Sequence, residues 1–284
     1  MTKHTKELID YEERLNRVTS FIYDHLDDDI DLDRLAAVAC LSPFHWHRVY
    51  HALHGETLAV TVKRLRLHRA AGFLAQTAMP IGEIATRSRY ASVSSFTRAF
   101  SEAYGMPPAE YRQNGTHARF RASAAEASPE AFGLAIKTVP AVAAVGVDHV
   151  GYYMQIGRAF DQLYAWLGAR ALLRPGMRSL AVYFDDPFAV DEERLRSRAC
   201  VVDAEPCVLE PPLRSTEIRG GRYAVLRHQG PYATMRAAYQ WLYGTWLPRS
   251  GEEAADAPIF EEYLNSPRDT APADLLTDIC LPLA

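Results

Sequence analysis

Two stretches of this chain are copies of one pattern, and few folds accommodate them. Ser42-Pro-Phe-His-Trp-His-Arg-Val-Tyr-His-Ala-Leu-His-Gly55 aligns with Ser92-Val-Ser-Ser-Phe-Thr-Arg-Ala-Phe-Ser-Glu-Ala-Tyr-Gly105 at an offset of 50 residues. Each copy opens on Ser, whose hydroxyl can accept from a first-turn N–H that a helix leaves unpaired. Each closes on Gly, suited to the left-handed residue past a helix end. Between them Trp46, Val49 and Tyr50 in one copy, and Phe96, Ala99 and Phe100 in the other, recur at i, i+3 and i+4, the spacing of one buried helical face. Arg48 and Arg98 fall on the opposite face. A short amphipathic helix is predicted before each copy, over residues 32–39 and 81–87, separated from it by a tight turn. The arrangement is helix, turn, helix, twice. In such a unit the second helix enters the major groove and the first lies across the DNA backbone. Residues 58–75 predict a long helix between the two units, which then suit successive major grooves about 34 Å apart.

The charge distribution agrees with a polyanion partner. The net charge of −4 over 284 residues conceals an uneven division. Residues 34–121 hold twelve Lys or Arg against four acids, whereas residues 1–33 hold four bases against ten acids, with Asp27, Asp28, Asp29, Asp31 and Asp33 clustered in what reads as a solvated turn. A basic segment of this kind offers a surface for phosphates, since each neutralised phosphate releases condensed counterions. A basic surface without a partner is equally compatible with charge alone. Cys40, Cys200, Cys207 and Cys280 form no C-x-x-C pair, which argues against a zinc module or a disulfide scaffold and for reduced thiols in a cytoplasm. His47, His51 and His54 share a helical stretch, but no carboxylate or thiolate lies near in sequence to complete a metal site, so no metal and no cofactor are expected. No run approaches the roughly 18 apolar residues of a membrane span, and acids stand near the N-terminus where a signal peptide carries its apolar core. A cytoplasmic protein without membrane association is expected.

The tail of the second copy makes a resemblance specific. Ile81-x-x-Ile-Ala, then Tyr90-Ala-Ser-x-Ser-Ser-Phe-Thr-Arg-Ala-Phe-x-x-x-Tyr-Gly-x-x-Pro-x-x-Tyr-Arg112, resembles the DNA-binding domain of the AraC/XylS transcription regulators over residues 8–115. The resemblance implies an all-α tandem helix-turn-helix domain. It also implies base-reading positions at Phe44, His47 and Arg48 on the first recognition helix and at Val93, Ser94, Thr97 and Arg98 on the second. The arginine fork matches guanine O6 and N7, though each arginine suits a phosphate equally well. The family usually has Gly before the aromatic of the second turn, and this chain has Arg89. Either Arg89 takes a left-handed backbone, at a cost on the order of 1 kcal/mol, or the turn has another shape, with weaker DNA engagement by the second unit as one consequence.

After residue 115 the composition turns small and polar, predicting a linker over 116–133 between a DNA-binding domain of residues 1–115 and a second domain of residues 134–284. Val-, Ile- and Tyr-rich runs at 134–139, 141–150, 179–184, 198–202, 215–218, 223–228, 259–264 and 278–281 predict strands, with helices over 159–172 and 233–247 between them. This second domain is α+β. It too is duplicated, because His149-x-Gly-x-Tyr153 with Phe160, Leu163 and Tyr164 corresponds to His228-x-Gly-x-Tyr232 with Tyr239, Leu242 and Tyr243. A duplicated unit can leave a cleft on its pseudo-twofold axis, with Tyr153, Tyr183, Tyr232, Trp241 and Tyr263 as candidate walls. Aromatic faces beside a carboxylate suit flat or cationic organic ligands, while ordinary core accounts equally for any one ring. The order of these motifs, ending in Phe260-Glu-Glu-Tyr-Leu-Asn-x-Pro267, resembles the GyrI-like small-molecule-binding domain over residues 134–284. That resemblance implies a cleft carboxylate at Glu261, with Tyr263 on the same strand face by the period-two rule.

Together these readings describe a sequence-specific regulator that binds double-stranded DNA and a small-molecule effector, and that contacts RNA polymerase in some arrangements, rather than an enzyme. Two alternatives stay open. Some GyrI-like domains hydrolyse strained electrophiles, which would make Glu261 a general acid or base assisted by Tyr263 or Tyr153, although no nucleophile elbow, H-E-x-x-H, P-loop or dinucleotide fingerprint occurs. A protein-interaction module is the other.

Overall fold

The repeated pattern folds as helix-turn-helix twice in the computed structural model of the chain, which describes residues 3–40, 43–122, 129–187, 189–202 and 209–284. Lys3–Asp24 forms α1, Leu32–Ala39 α2, Pro43–His54 α3 and Leu58–Gln76 α4; Ile81–Arg87 forms α5, Val93–Tyr104 α6, Pro108–Asn114 α7 and Thr116–Ala122 α8. Asp31, from the expected acidic turn, caps α2 by accepting from the Arg34 amide at 2.6 Å. Ser92 caps α6 in a reciprocal box with Ser95, which satisfies two otherwise orphaned amides at once. Ser42, its counterpart in the first copy, lies outside the described residues. Gly55 and Gly105 follow α3 and α6 with φ of +71° and +73°, a conformation in which a Cβ is costly. The two turns differ in length. In the first, Cys40 directly after α2 has φ +54°; in the second, Ser88 intervenes after α5 and Arg89 takes φ +63°. Arg89 is thus the left-handed residue of its turn.

Beyond α8 the strands fall where the β-branched and aromatic runs predict them. Leu134–Val139 forms β1, Val142–Val150 β2, Arg178–Tyr183 β3, Arg196–Val202 β4, Leu213–Ile218 β5, Gly221–Gln229 β6, Ile259–Tyr263 β7 and Leu276–Pro282 β8, with Gly157–Ala169 (α9) after β2 and Met235–Trp241 (α10) after β6. Helix α10 continues through a π-helical stretch, Leu242–Trp246. The duplication appears as the order strand, strand, helix, strand, strand, given first by β1 to β4 with α9 and again by β5 to β8 with α10. Gly151 and Gly230 occupy the same place in the two copies, with φ of +124° and +130°. Their amides donate to the carbonyls of Leu195 and Leu275, both at 2.8 Å. The repeated histidines hold strand to turn: the His149 ring donates to the Tyr152 carbonyl at 3.2 Å, and the His228 ring bonds the Thr234 hydroxyl at 2.9 Å.

The chain clusters into two compact units that interleave in sequence, Met1–Leu65 with Ala143–Glu217 and Arg66–Val142 with Ile218–Ala284. In the first unit the strand order is β3-β4-β2-β5, and in the second it is β1-β6-β8-β7. The leading strand of each repeat therefore pairs within the other one, since β1 lies antiparallel to β6 and β5 lies beside β2. Each unit also joins a helix-turn-helix to one half of the duplicated domain. In the first, α1 packs on α9; Glu12, buried on α1, receives Arg170 at 2.7 Å, and that guanidinium stands 3.9 Å over the Trp166 ring. In the second, α8 packs on α10, and Phe120 enters an apolar cluster with Phe132, Trp241, Leu242, Ile279 and Leu281. Helix α8 runs through the first seven residues of the stretch expected as linker, because His117 and Phe120 carry enough buried surface to dock it.

Candidate DNA-reading face and effector pocket

On α6 the apolar and polar faces separate cleanly. Phe96, Phe100 and Tyr104 are buried, and their rings form a ladder: Phe100 stacks on Tyr104 at 4.3 Å and meets Tyr111 of α7 edge-on at 5.3 Å. Tyr90 closes the other end against Phe96 at 5.6 Å. This ladder orients the opposite face, where Val93, Ser94 and Arg98 are exposed and Thr97 is half-buried. Val93 is 47% exposed, an apolar side chain in the first turn of the helix, where a thymine methyl can be read. Helix α3 repeats the design with Trp46 and Tyr50 buried, their rings 5.5 Å apart, and Arg48 exposed. The Tyr50 hydroxyl bonds Thr61 at 2.8 Å; Thr61 in turn donates to Glu56 at 2.9 Å, and Glu56 accepts from Arg64 at 2.6 Å. That chain of bonds ties α3 to α4. The side chains of Phe44 and His47 lie outside the described ones.

In the second unit the carboxylate singled out on the penultimate strand is 2% exposed and fully engaged. Glu261 accepts from the Tyr239 hydroxyl at 2.6 Å through one oxygen and from the Tyr263 hydroxyl at 2.7 Å through the other. Tyr263 stands two residues along β7 on the same face, as alternation requires; Tyr239 reaches in from α10. The Tyr232 ring meets Tyr263 edge-on at 5.4 Å, and on its other side lies 6.0 Å from His68 of α4. Tyr239 was visible in the sequence only as the repeat partner of Phe160. The hydroxyl that distinguishes the two copies at this position is the signal that points to it.

The first unit holds the corresponding pair. Tyr153 and Tyr183 meet edge-on at 4.7 Å and 70°, and the Tyr153 hydroxyl donates to the Asp185 carbonyl at 2.8 Å. Burial pushes the Tyr153 phenol up to about 12, so near neutral pH it keeps the proton that it donates to that carbonyl. Ala181 stands where the second repeat has Glu261, so the carboxylate at this strand position belongs to the second repeat. Trp241 keeps different company, 4% exposed and packed on Phe132 at 4.6 Å within the apolar cluster.

The chain matches two family models: the Helix-turn-helix domain over residues 35–114 and the GyrI-like small molecule binding domain over residues 134–284. The chain belongs to the GyrI-like family, with an AraC-type helix-turn-helix region ahead of that domain. Transcriptional regulator Rob of Salmonella typhimurium is 35% identical over 96 residues, covering 34% of this chain and 33% of its own length. The probable transcriptional regulator YgiV of Escherichia coli is 34% identical over 111 residues, covering 38% of this chain and 68% of its own length. A DNA gyrase inhibitor of Enterobacter lignolyticus is 33% identical over 125 residues, covering 42% and 78% respectively. The chain thus spans about a third of the length of Rob. No helix among the described residues is long and apolar enough to cross a membrane.

Proposed function

We propose that this protein is a ligand-responsive transcription regulator of the cytoplasm, with a DNA-binding domain of residues 1–115, a connecting stretch of residues 116–133 and an effector domain of residues 134–284. The observation that carries the reading is the two-faced α6: a buried aromatic ladder beneath, and Val93, Ser94, Thr97 and Arg98 at a capped N-terminal end above. These residues, with Phe44, His47 and Arg48 on α3, read base edges or anchor phosphates of double-stranded DNA. The effector is a flat or cationic organic molecule at Glu261, Tyr263 and Tyr232, with Tyr239 holding the carboxylate and Tyr153, Tyr183 and Trp241 as supporting residues. Glu261 binds rather than turns over its ligand, since phenol hydroxyls occupy both of its oxygens. The contact of Tyr232 with His68 supports coupling from effector to DNA, because a ligand that moves Tyr232 favours one placement of α4 over another. RNA polymerase is the further partner of the DNA-bound form.

The experiment is selection of duplexes from a random pool, followed by mobility-shift titration of the selected site with and without a panel of aromatic cations. Arg48→Ala and Arg98→Ala are each expected to weaken binding about tenfold or more, in line with about 1 to 3 kcal/mol for a good base contact. Glu261→Gln is expected to leave DNA affinity intact and to abolish the ligand response. Unchanged affinity in both arginine variants would refute the docking face.

A further inference from the structure

One cavity is lined by residues other than Glu261. It has a volume of about 500 Å³ and is lined from α4, α7, α8 and α10, its polar lining comprising Arg112, His117, Arg121, Arg236, Gln76 and Gln240, with Thr77 at one edge. Three arginines line it, and no carboxylate is among the described lining residues. Arg112 and Arg121 each spend one nitrogen on a backbone carbonyl near the end of α4, those of Met79 at 2.6 Å and of Ala75. A guanidinium carries five donors, so these bonds fix the two forks and leave donors over; Arg112 Nε is buried with no partner among the described atoms. His117 is 1% exposed, its Nε2 donates to the Arg112 carbonyl at 3.1 Å, and its Nδ1 is likewise buried without a partner. Unsatisfied buried polar atoms call for an explanation.

We propose that this cavity is a binding site for a small polyvalent anion, a phosphate ester or a polycarboxylate, held by the forks of Arg112, Arg121 and Arg236 with Gln76 and Gln240 as neutral donors. Planar guanidiniums match both oxyanions in bidentate fashion. The volume falls within the range of small-molecule sites, about 300 to 1,000 Å³, and exceeds what a single halide needs. Its position has a consequence for regulation. Arg112 belongs to α7 and Arg121 to α8, directly after the second recognition helix, whereas Arg236 belongs to α10 of the effector domain. An anion gripped by all three ties the DNA-reading segment to the sensing one, through a site independent of Glu261.

The test uses the full chain and inorganic pyrophosphate, with citrate in parallel, titrated by calorimetry at constant ionic strength so that general screening is the same throughout. One anion per chain is expected to bind, with affinity reduced at least tenfold in Arg236→Glu. Because Arg236 and Gln240 are exposed, Arg236→Glu and Gln240→Glu are expected to keep the wild-type melting temperature, and Gln240→Glu weakens the anion in the same direction. Absence of saturable binding by either anion overturns the proposal, as does equal affinity in wild type and both variants. Loss of DNA affinity in Arg236→Glu without any small-anion binding also overturns it, and assigns the arginines to the phosphates of a duplex.

Discussion

Arg89 shows how a single backbone angle enters the stability of a recognition unit. It is a non-glycine residue at φ +63°, and Cys40 carries the same burden in the first turn at +54°. A left-handed L-residue costs roughly 1 to 2 kcal/mol, and glycine relieves this while adding about 0.4 to 1 kcal/mol of unfolded-chain entropy. Arg89→Gly is therefore expected to raise stability by about 0.5 kcal/mol, whereas the β-branched Arg89→Val lowers it by about 1 kcal/mol or more. Thermal midpoints in the order Gly, Arg, Val from highest to lowest check this; Val equal to Arg would mean that the turn relaxes to another shape. Both outcomes open to this residue in the sequence were reasonable, because the departure from glycine is visible in one dimension and the angle is not. The same applies at the proposed ligand site. The resemblance to the GyrI-like domain implied Glu261 and strand alternation then added Tyr263, while neither gave Tyr239, since its hydroxyl arrives from a helix 22 residues earlier.

At the scale of elements, the helices with strong periodicity or caps were readable, and those defined by what they dock against were not. Helices α2 and α5 start and stop where predicted because their apolar faces and turns are local signals. Helix α8 fell inside an expected connector because THARFRA has little helical signature of its own; short helices draw their stability from tertiary packing rather than propensity. Its anchor is Phe120, 6% exposed, with its ring 5.3 Å from Phe132 and 6.2 Å from Trp241. Phe120→Ala empties that position and is expected to cost about 3 to 5 kcal/mol, measured as a fall in the urea midpoint. A loss below about 1 kcal/mol would show that α8 is not held by this ring. The mutation leaves untouched the α6 residues proposed to read DNA, so any accompanying change in operator affinity reports transmission through α7 and α8.

At the scale of the molecule, each compact unit combines a helix-turn-helix with half of the duplicated domain. Residues 1–115 alone lack α9 beneath α1, with the buried pairing of Glu12 with Arg170, and lack both α8 and the α10 on which it packs. A chain ending at residue 115 is accordingly expected to unfold below the lowest transition of the full chain, by about 4 to 8 °C for each kcal/mol of lost contact in a domain of this size. Calorimetry showing the same midpoint for that segment in both contexts would make the two domains energetically independent. What the amino-acid sequence determined by itself was every feature encoded by short-range periodicity or repetition: the paired recognition helices, their outward arginines, the strand list and the duplication, all set by contacts within a few turns or by the alternation of a strand. What only the tertiary structure decided was partnership. The exchange of β1 and β5 between repeats, the docking of α1 and α8, the Tyr239 phenol at Glu261 and the placing of Arg236 beside the cavity of Arg112 and Arg121 each join residues tens of positions or more apart, where no local period relates one to the other and only the packing of the folded chain brings them together.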